Sequence, residues 1–194
     1  MSPVSSHRCQ SLIFVLLVTV VAIAGCVPSL NAIYTEEDIA FDEAVVGKWV
    51  PDDQDEVWEF TKHSENTYRL MYRDSDNKHG VFEATLVKVG DARFLDLTPL
   101  EDPELTQNAL WKWHLFSTHT WLLVESTSPS IKLRAMNLNW AKEHLQNHPL
   151  ALEHVIQNDR VLITAETKDI QEFATLHINT PEAYGEVYTL HKDE

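Results

Sequence analysis

From Val45 to Asn137 the chain repeats one pattern, short apolar runs of period two broken by polar turns roughly every 8 to 12 residues. Alternation sends successive side chains to opposite faces of a strand, so such a stretch must pair with itself as an antiparallel meander. Trp58 and Phe60 share one face, as do Tyr68, Leu70 and Tyr72, and then Phe82, Ala84 and Leu86. The turns between them are Asp52-Asp53, Ser64-Glu65-Asn66 and Asp74-Ser75-Asp76-Asn77. Further strands are predicted at 93–97, 110–116, 120–125 and 131–136. With the first strand after Val45 this makes about eight, the number that closes into a barrel whose interior is either packed or holds one small ligand. Closure also removes the exposed edges of an open sheet.

Beyond Asn137 the period changes. Asn139 is placed to cap a helix running through Trp140, Ala141 and Leu145 to Pro149, and Pro149 to open a further helical turn through Leu152, Val155 and Ile156. A strand is predicted at 160–165. Thr167 then caps an amphipathic helix that sets Ile170, Phe173, Ala174 and His177 on one side. The fold expected is mainly β, a meander barrel of about eight strands over 45–180 with C-terminal helices packed outside. Residues 181–194 are mixed and charged and carry no period, so they stay unassigned.

The N-terminus has a different character. Leu12 to Ala24 is an apolar run of 13 residues that meets Gly25, Cys26 and Pro28, shorter than the about 20 residues that cross a bilayer core. Ile23-Ala24-Gly25-Cys26 places small side chains before a thiol, the requirement of a peptidase cleft followed by a lipid acceptor. This tetrapeptide resembles the bacterial lipobox. The resemblance implies that residues 1–25 are a lipoprotein signal peptide, cleaved before Cys26, with lipid on the Cys26 sulfur and on its new amino group. Residues 26–44 are then the lipidated cysteine and a short tether, in which Thr35 can cap a turn begun by Glu36, Glu37 and Asp38. Val27 in place of aspartate implies the outer membrane of a bacterial envelope over the inner one.

Cleavage removes Cys9 and commits Cys26, which leaves the 169-residue body without a thiol for a disulfide, a nucleophile or a cysteine metal site. It also removes one basic residue, Arg8, and no acidic one, so 14 basic residues face 30 acidic ones and the net charge is −16. Nucleic acid is a poor partner for such a surface, since phosphate binding needs clustered Lys and Arg. The charge reads as a solvated exterior.

Gly47-Lys48-Trp49 at the start of the first strand resembles the Gly-x-Trp opening of lipocalins and related calycin barrels, and the segment from Ser29 through Phe173 is similar to uncharacterised bacterial lipoproteins with a lipocalin-like domain. In that family the glycine lets the chain pass beneath the barrel and the tryptophan plugs its closed end under a cation from a late strand. The resemblance implies Arg160, with Arg134 second, as that cation. It also implies an apolar pocket, for which Trp58, Phe60, Tyr68, Tyr72, Phe82, Trp111 and Trp113 are the candidates; the same aromatic residues, with Trp49 and Trp121, would equally fill a solid core.

Catalytic patterns are sparse. There is no Gly-x-Ser-x-Gly elbow and no phosphate-cradling loop, and the body after Gly25 has four glycines. His144 and His148 stand four apart on a predicted helix, a spacing that suits two ligands to one metal, but no glutamate lies between them as in a zincin and Pro149 ends the helix there; exposed helical histidines are the preferred reading. His114 and His119 flank a predicted hairpin around Ser117-Thr118 that aromatic cross-strand packing explains. The sequence therefore points to a non-enzymatic, membrane-anchored protein that needs no cofactor and binds a small apolar ligand, with a protein-interaction or inhibitor module of filled core, or a histidine-dependent metal protein, as alternatives. It names no protein partner.

Overall fold

A computed structural model describes residues 26–52, 55–100 and 115–193. The strands are β1 (Ile39–Ala40), β2 (Gly47–Pro51), β3 (Val57–Lys62), β4 (Tyr68–Arg73), β5 (His79–Val89), β6 (Ala92–Pro99), β7 (Thr120–Ser126), β8 (Ile131–Ala135), β9 (His154–Gln157), β10 (Arg160–Ile163) and β11 (Tyr188–Lys192). Helix α1 spans Leu138–Asn147 and α2 spans Thr167–Leu176.

Eight strands pair antiparallel in the ring β2-β3-β4-β5-β6-β7-β8-β11, and β11 returns to β2 to close a lipocalin-like barrel. The strand that completes the ring is the C-terminal one, in the stretch whose sequence shows no period. Leu190 is its fully buried residue, paired with Pro51 on one side and Ile131 on the other. The run predicted at 110–116 falls mostly outside the described residues, and its last two, Leu115 and Phe116, are irregular. β1 lies beside β5 at Ile39↔Val87, beyond the last β4 pair, Tyr68↔Ala84.

Two apolar cores share one wall. Inside the barrel Trp49, Trp58, Phe60, Tyr68, Leu70, Leu86, Leu95, Leu122, Ile131, Leu133 and Leu190 pack together. The outward residues of β5, β6 and β7, among them Val87, Phe94, Trp121 and Leu123, are buried too, beneath α1, α2 and the β9–β10 hairpin. A wall covered on both faces loses the polar half of its alternation, and Trp121-Leu122-Leu123-Val124 is apolar at every position. Each fully buried large side chain contributes about 1.5–3 kcal/mol by transfer out of water.

Some boundaries differ from the expectation. The cap of α1 is Asn137, two residues before Asn139, and its side-chain oxygen accepts the N–H groups of Asn139 and Trp140 at 3.0 and 3.2 Å. Glu166 precedes α2, while Thr167 Oγ1 donates to Ala32 O at 2.9 Å. Residues 154–157 are a strand and not a helical turn: Asn158 and Asp159 both hold positive φ, 49° and 62°, which makes a two-residue hairpin loop between Gln157 and Arg160.

Candidate functional site at the barrel mouth

The strand registers give the barrel two unlike ends. At the Gly47 end, residues 41–46 cross the opening: Val45 is buried in the interior, Phe41 stacks on Tyr68 at 4.9 Å, and the Tyr68 hydroxyl donates to Asp42 O at 3.0 Å. Trp49 is 1 % exposed and donates Nε1–H to Val45 O at 2.9 Å. The cation above its ring is Lys192 of β11, with Nζ 5.4 Å from the centroid, and not Arg160 or Arg134. Arg160 is exposed on the outer hairpin, away from the barrel ring. Arg134 donates to Gly185 O and Tyr184 O at 2.9 and 3.1 Å, fixing the chain that leads into β11. Gly47 sits at φ +139°, where a side chain would be strained, and a Cβ there would come within 3.0 Å of Lys192 Cε. The glycine is thus the space through which the lysine stem reaches Trp49.

The other end, where β3 begins and β4 ends, is the candidate mouth; β6 ends and β7 begins there too, and most residues between those two strands lie outside the described ones. Trp58 of β3 lies across from Tyr72 of β4, with ring centroids 5.2 Å apart edge to face, and 6.1 Å from Tyr188 at the start of β11. The Tyr188 hydroxyl donates to Glu56 Oε2 at 2.6 Å. Burial first, and the Glu56 carboxylate next, hold both phenols far above their ordinary pKa, so both stay protonated donors. Trp58 is 2 % exposed, and its buried Nε1–H makes no well-formed hydrogen bond among the described residues; it lies near enough to the Tyr188 phenol to oppose, as the weakest of the influences there, the rise in that group's pKa. Phe82 of β5 is half-buried against the same interior. The mouth therefore joins an apolar aromatic floor to one carboxylate and three N–H or O–H groups, a combination able to hold the polar end of a mostly apolar molecule.

Of the remaining pocket candidates, Phe60 and Tyr68 are fully buried and fill the closed half, while Trp111 and Trp113 lie outside the described residues. Trp121 faces the outer core against Phe94, and its Nε1–H also has no hydrogen-bond partner among the described residues. Glu56 and Tyr188 escape a sequence reading because one precedes its strand and the other opens a strand with no visible period.

Two histidine clusters lie elsewhere. His144 stacks on Trp140 at 4.7 Å and lies 4.9 Å from both His148 and His177, which lines the same groove of about 770 Å³ between the ends of α1 and α2. Among the described residues no group of three or more His, Cys, Asp or Glu is placed to hold a metal ion; His144 stacks on Trp140 and meets His177 edge to face. His119 Nδ1 meets Asp96 Oδ1 at 2.6 Å, and Asp96 is 2 % exposed on the outward face of β6. His119 also exchanges backbone hydrogen bonds with Ser29, and not with a residue across the hairpin predicted around Ser117-Thr118. Ser29 Oγ is fully buried and donates to Asn31 O at 2.7 Å, so serine, histidine and aspartate meet here in a structural seam and not around a reactive hydroxyl.

Cys26 packs half-buried against the barrel interior, and burial pushes its thiol up to about 11. The residues after it are built into the fold: Val27 and Ile33 belong to the outer core, and Ser29 bridges His119 and Ile163. The stretch expected as a tether thus runs along the barrel wall. In comparisons with family models, curated proteins and solved structures, nothing matches this chain.

Proposed function

We propose that the protein is a lipoprotein of the bacterial cell envelope, held in the outer membrane by lipid on Cys26, whose lipocalin-like barrel is a non-catalytic holder of one small apolar ligand at its mouth. The lipobox-like Ile23-Ala24-Gly25-Cys26 supports the anchor. The ligand reading is carried by Trp58 Nε1–H, a donor buried beside Tyr188 and Tyr72 that has no well-formed hydrogen bond among the described residues. Leaving such a group unsatisfied costs about 1–3 kcal/mol, which an acceptor atom on a ligand would offset. Native mass spectrometry and organic extraction of the detergent-solubilised chain should recover a stoichiometric small molecule, and an oxygenated fatty-acid probe should quench tryptophan emission saturably. Trp58→Phe should weaken that probe by roughly 5- to 30-fold, the equivalent of one lost hydrogen bond. An empty barrel that no probe enters would sink the ligand reading. That result would favour the second one, a protein-interaction or inhibitor module with a filled core, for which the closed half speaks: Trp49, Phe60, Tyr68 and Leu70 leave at most 1 % of their surface exposed.

A further inference from the structure

We infer that one side of the barrel mouth, the seam between β7 and β8, is a docking surface for a lipid bilayer, so that the anchored barrel lies tilted on the membrane. The inference rests on the anchoring proposed above and adds an orientation to it. Beyond the pair Leu122↔Ala135, β8 leaves β7, and the vacated edge of β7 is taken by Ser29, which exchanges N–H···O bonds of 2.9 Å with His119 in both directions. Cys26 precedes Ser29 by three residues, at most about 10 Å of chain, and the apolar run Leu12 to Ala24 ends just before it. Val27 and Ser29 are buried, so no free linker separates an inserted lipid from the barrel. A lipid on Cys26, once drawn out of its half-buried place, brings the membrane close to this seam.

That surface is apolar. Phe116 and Leu115 precede His119 by three and four residues and are 79 % and 57 % exposed; Leu30, whose N–H donates to Ile163 O, is exposed as well. Three of the eight exposed large hydrophobic residues among those described, Leu30, Leu115 and Phe116, thus adjoin this one seam. Exposed aromatic and aliphatic side chains of this kind sit favourably at the headgroup boundary.

Four aspartates stand on the far side of the mouth, against the exposed Glu182 and Glu186 on the stretch that leads into β11. In the ring of eight, β3 and β4 stand across the barrel from β7 and β8. The turns that flank them at the mouth carry Asp52 and Asp55 between β2 and β3, and Asp74 and Asp76 between β4 and β5. A tilt toward the β7–β8 side buries Phe116 and Leu115 in the interface and keeps these carboxylates in water. A zwitterionic surface suits a chain of such negative charge better than an anionic one.

The test uses the lipidated full chain reconstituted in phosphatidylcholine vesicles, with Phe116→Cys carrying an environment-sensitive nitrobenzoxadiazole dye; the lipid-bearing Cys26 sulfur is closed to the label. The dye at 116 should shift to the blue and become several-fold less reducible by external dithionite than the same dye at Asp76→Cys across the mouth. Leu115→Cys gives the same readout should the Phe116 variant fold poorly. Equal quenching at 116 and 76 on chains that remain vesicle-bound overturns the orientation and leaves the anchor standing. A chain whose mass shows residues 1–25 retained and no lipid on Cys26 overturns both.

Discussion

Trp49 spans the barrel's closed end, and three neighbours explain why tryptophan stands there: Val45 O accepts its N–H, Gly47 has no Cβ to obstruct the approach, and the Lys192 ammonium lies 5.4 Å above the ring. A cation near an indole face contributes on the order of 0.5–1 kcal/mol where solvent reaches it, so burial of the ring is the larger effect. Trp49→Ala should cost about 3–5 kcal/mol, read from the midpoint and slope of urea unfolding; a loss below about 1 kcal/mol would place the ring outside the packed interior. The Gly47 and Trp49 pair is legible in the sequence because both residue types are demanded by local space. The cation is not, since Arg160, Arg134 and Lys192 are chemically interchangeable in that role and only the sheet order shows that β11, not β10, borders β2.

The elements divide by how local their causes are. Strands β3, β4 and β5 announce themselves by alternation, and α2 by its apolar stripe, because each pattern answers to one covered face. β9 is hidden by the apolar Val155-Ile156 pair, which suits a helix or a strand equally, and Asn158-Asp159 is the local signal that decides it. Between α1 and α2, His144 and His177 pack against Trp140 and Phe173. Burial lowers both pKa values first, and then the charge of His148 acts on His144 and that of His144 on His177. The groove is also lined by Glu153, Asp169 and Glu172. A histidine whose folded pKa lies below its unfolded value binds fewer protons when folded, so its contribution is complete above the unfolded value of about 6.5 and is lost as pH falls through that value toward the folded one. Melting temperature should therefore drop between about pH 7.5 and about pH 5.5, and His144→Gln should flatten that slope. A slope unchanged by the substitution would assign the acid sensitivity to other groups. Asp42, held below the ordinary carboxylate range chiefly by the Thr127 hydroxyl, acts only in a lower window.

At the scale of the whole molecule the barrel depends on its last strand. β11 fills the gap between β2 and β8 with Leu190 at its centre, Tyr188 at the mouth and Lys192 over Trp49, so five residues join the closed end, the candidate site and the ring itself. Nothing local could reveal this, because Tyr188-Thr189-Leu190-His191-Lys192 has one buried position and gains its order from two neighbours more than 50 residues away in sequence. Removing residues 186–194 would leave β2 and β8 with unpaired backbone groups facing each other across an open slot, and open edges recruit other chains. The truncated protein should lose its cooperative melt and associate, as followed by circular dichroism and size-exclusion chromatography. A synthetic peptide of residues 186–194 should restore the monomer and the melt by adding the missing strand in trans, and a peptide with Leu190→Asp should fail, because its carboxylate would have to enter the barrel interior without a partner. A truncated chain that stays monomeric and melts cooperatively alone would show that seven strands close without the eighth.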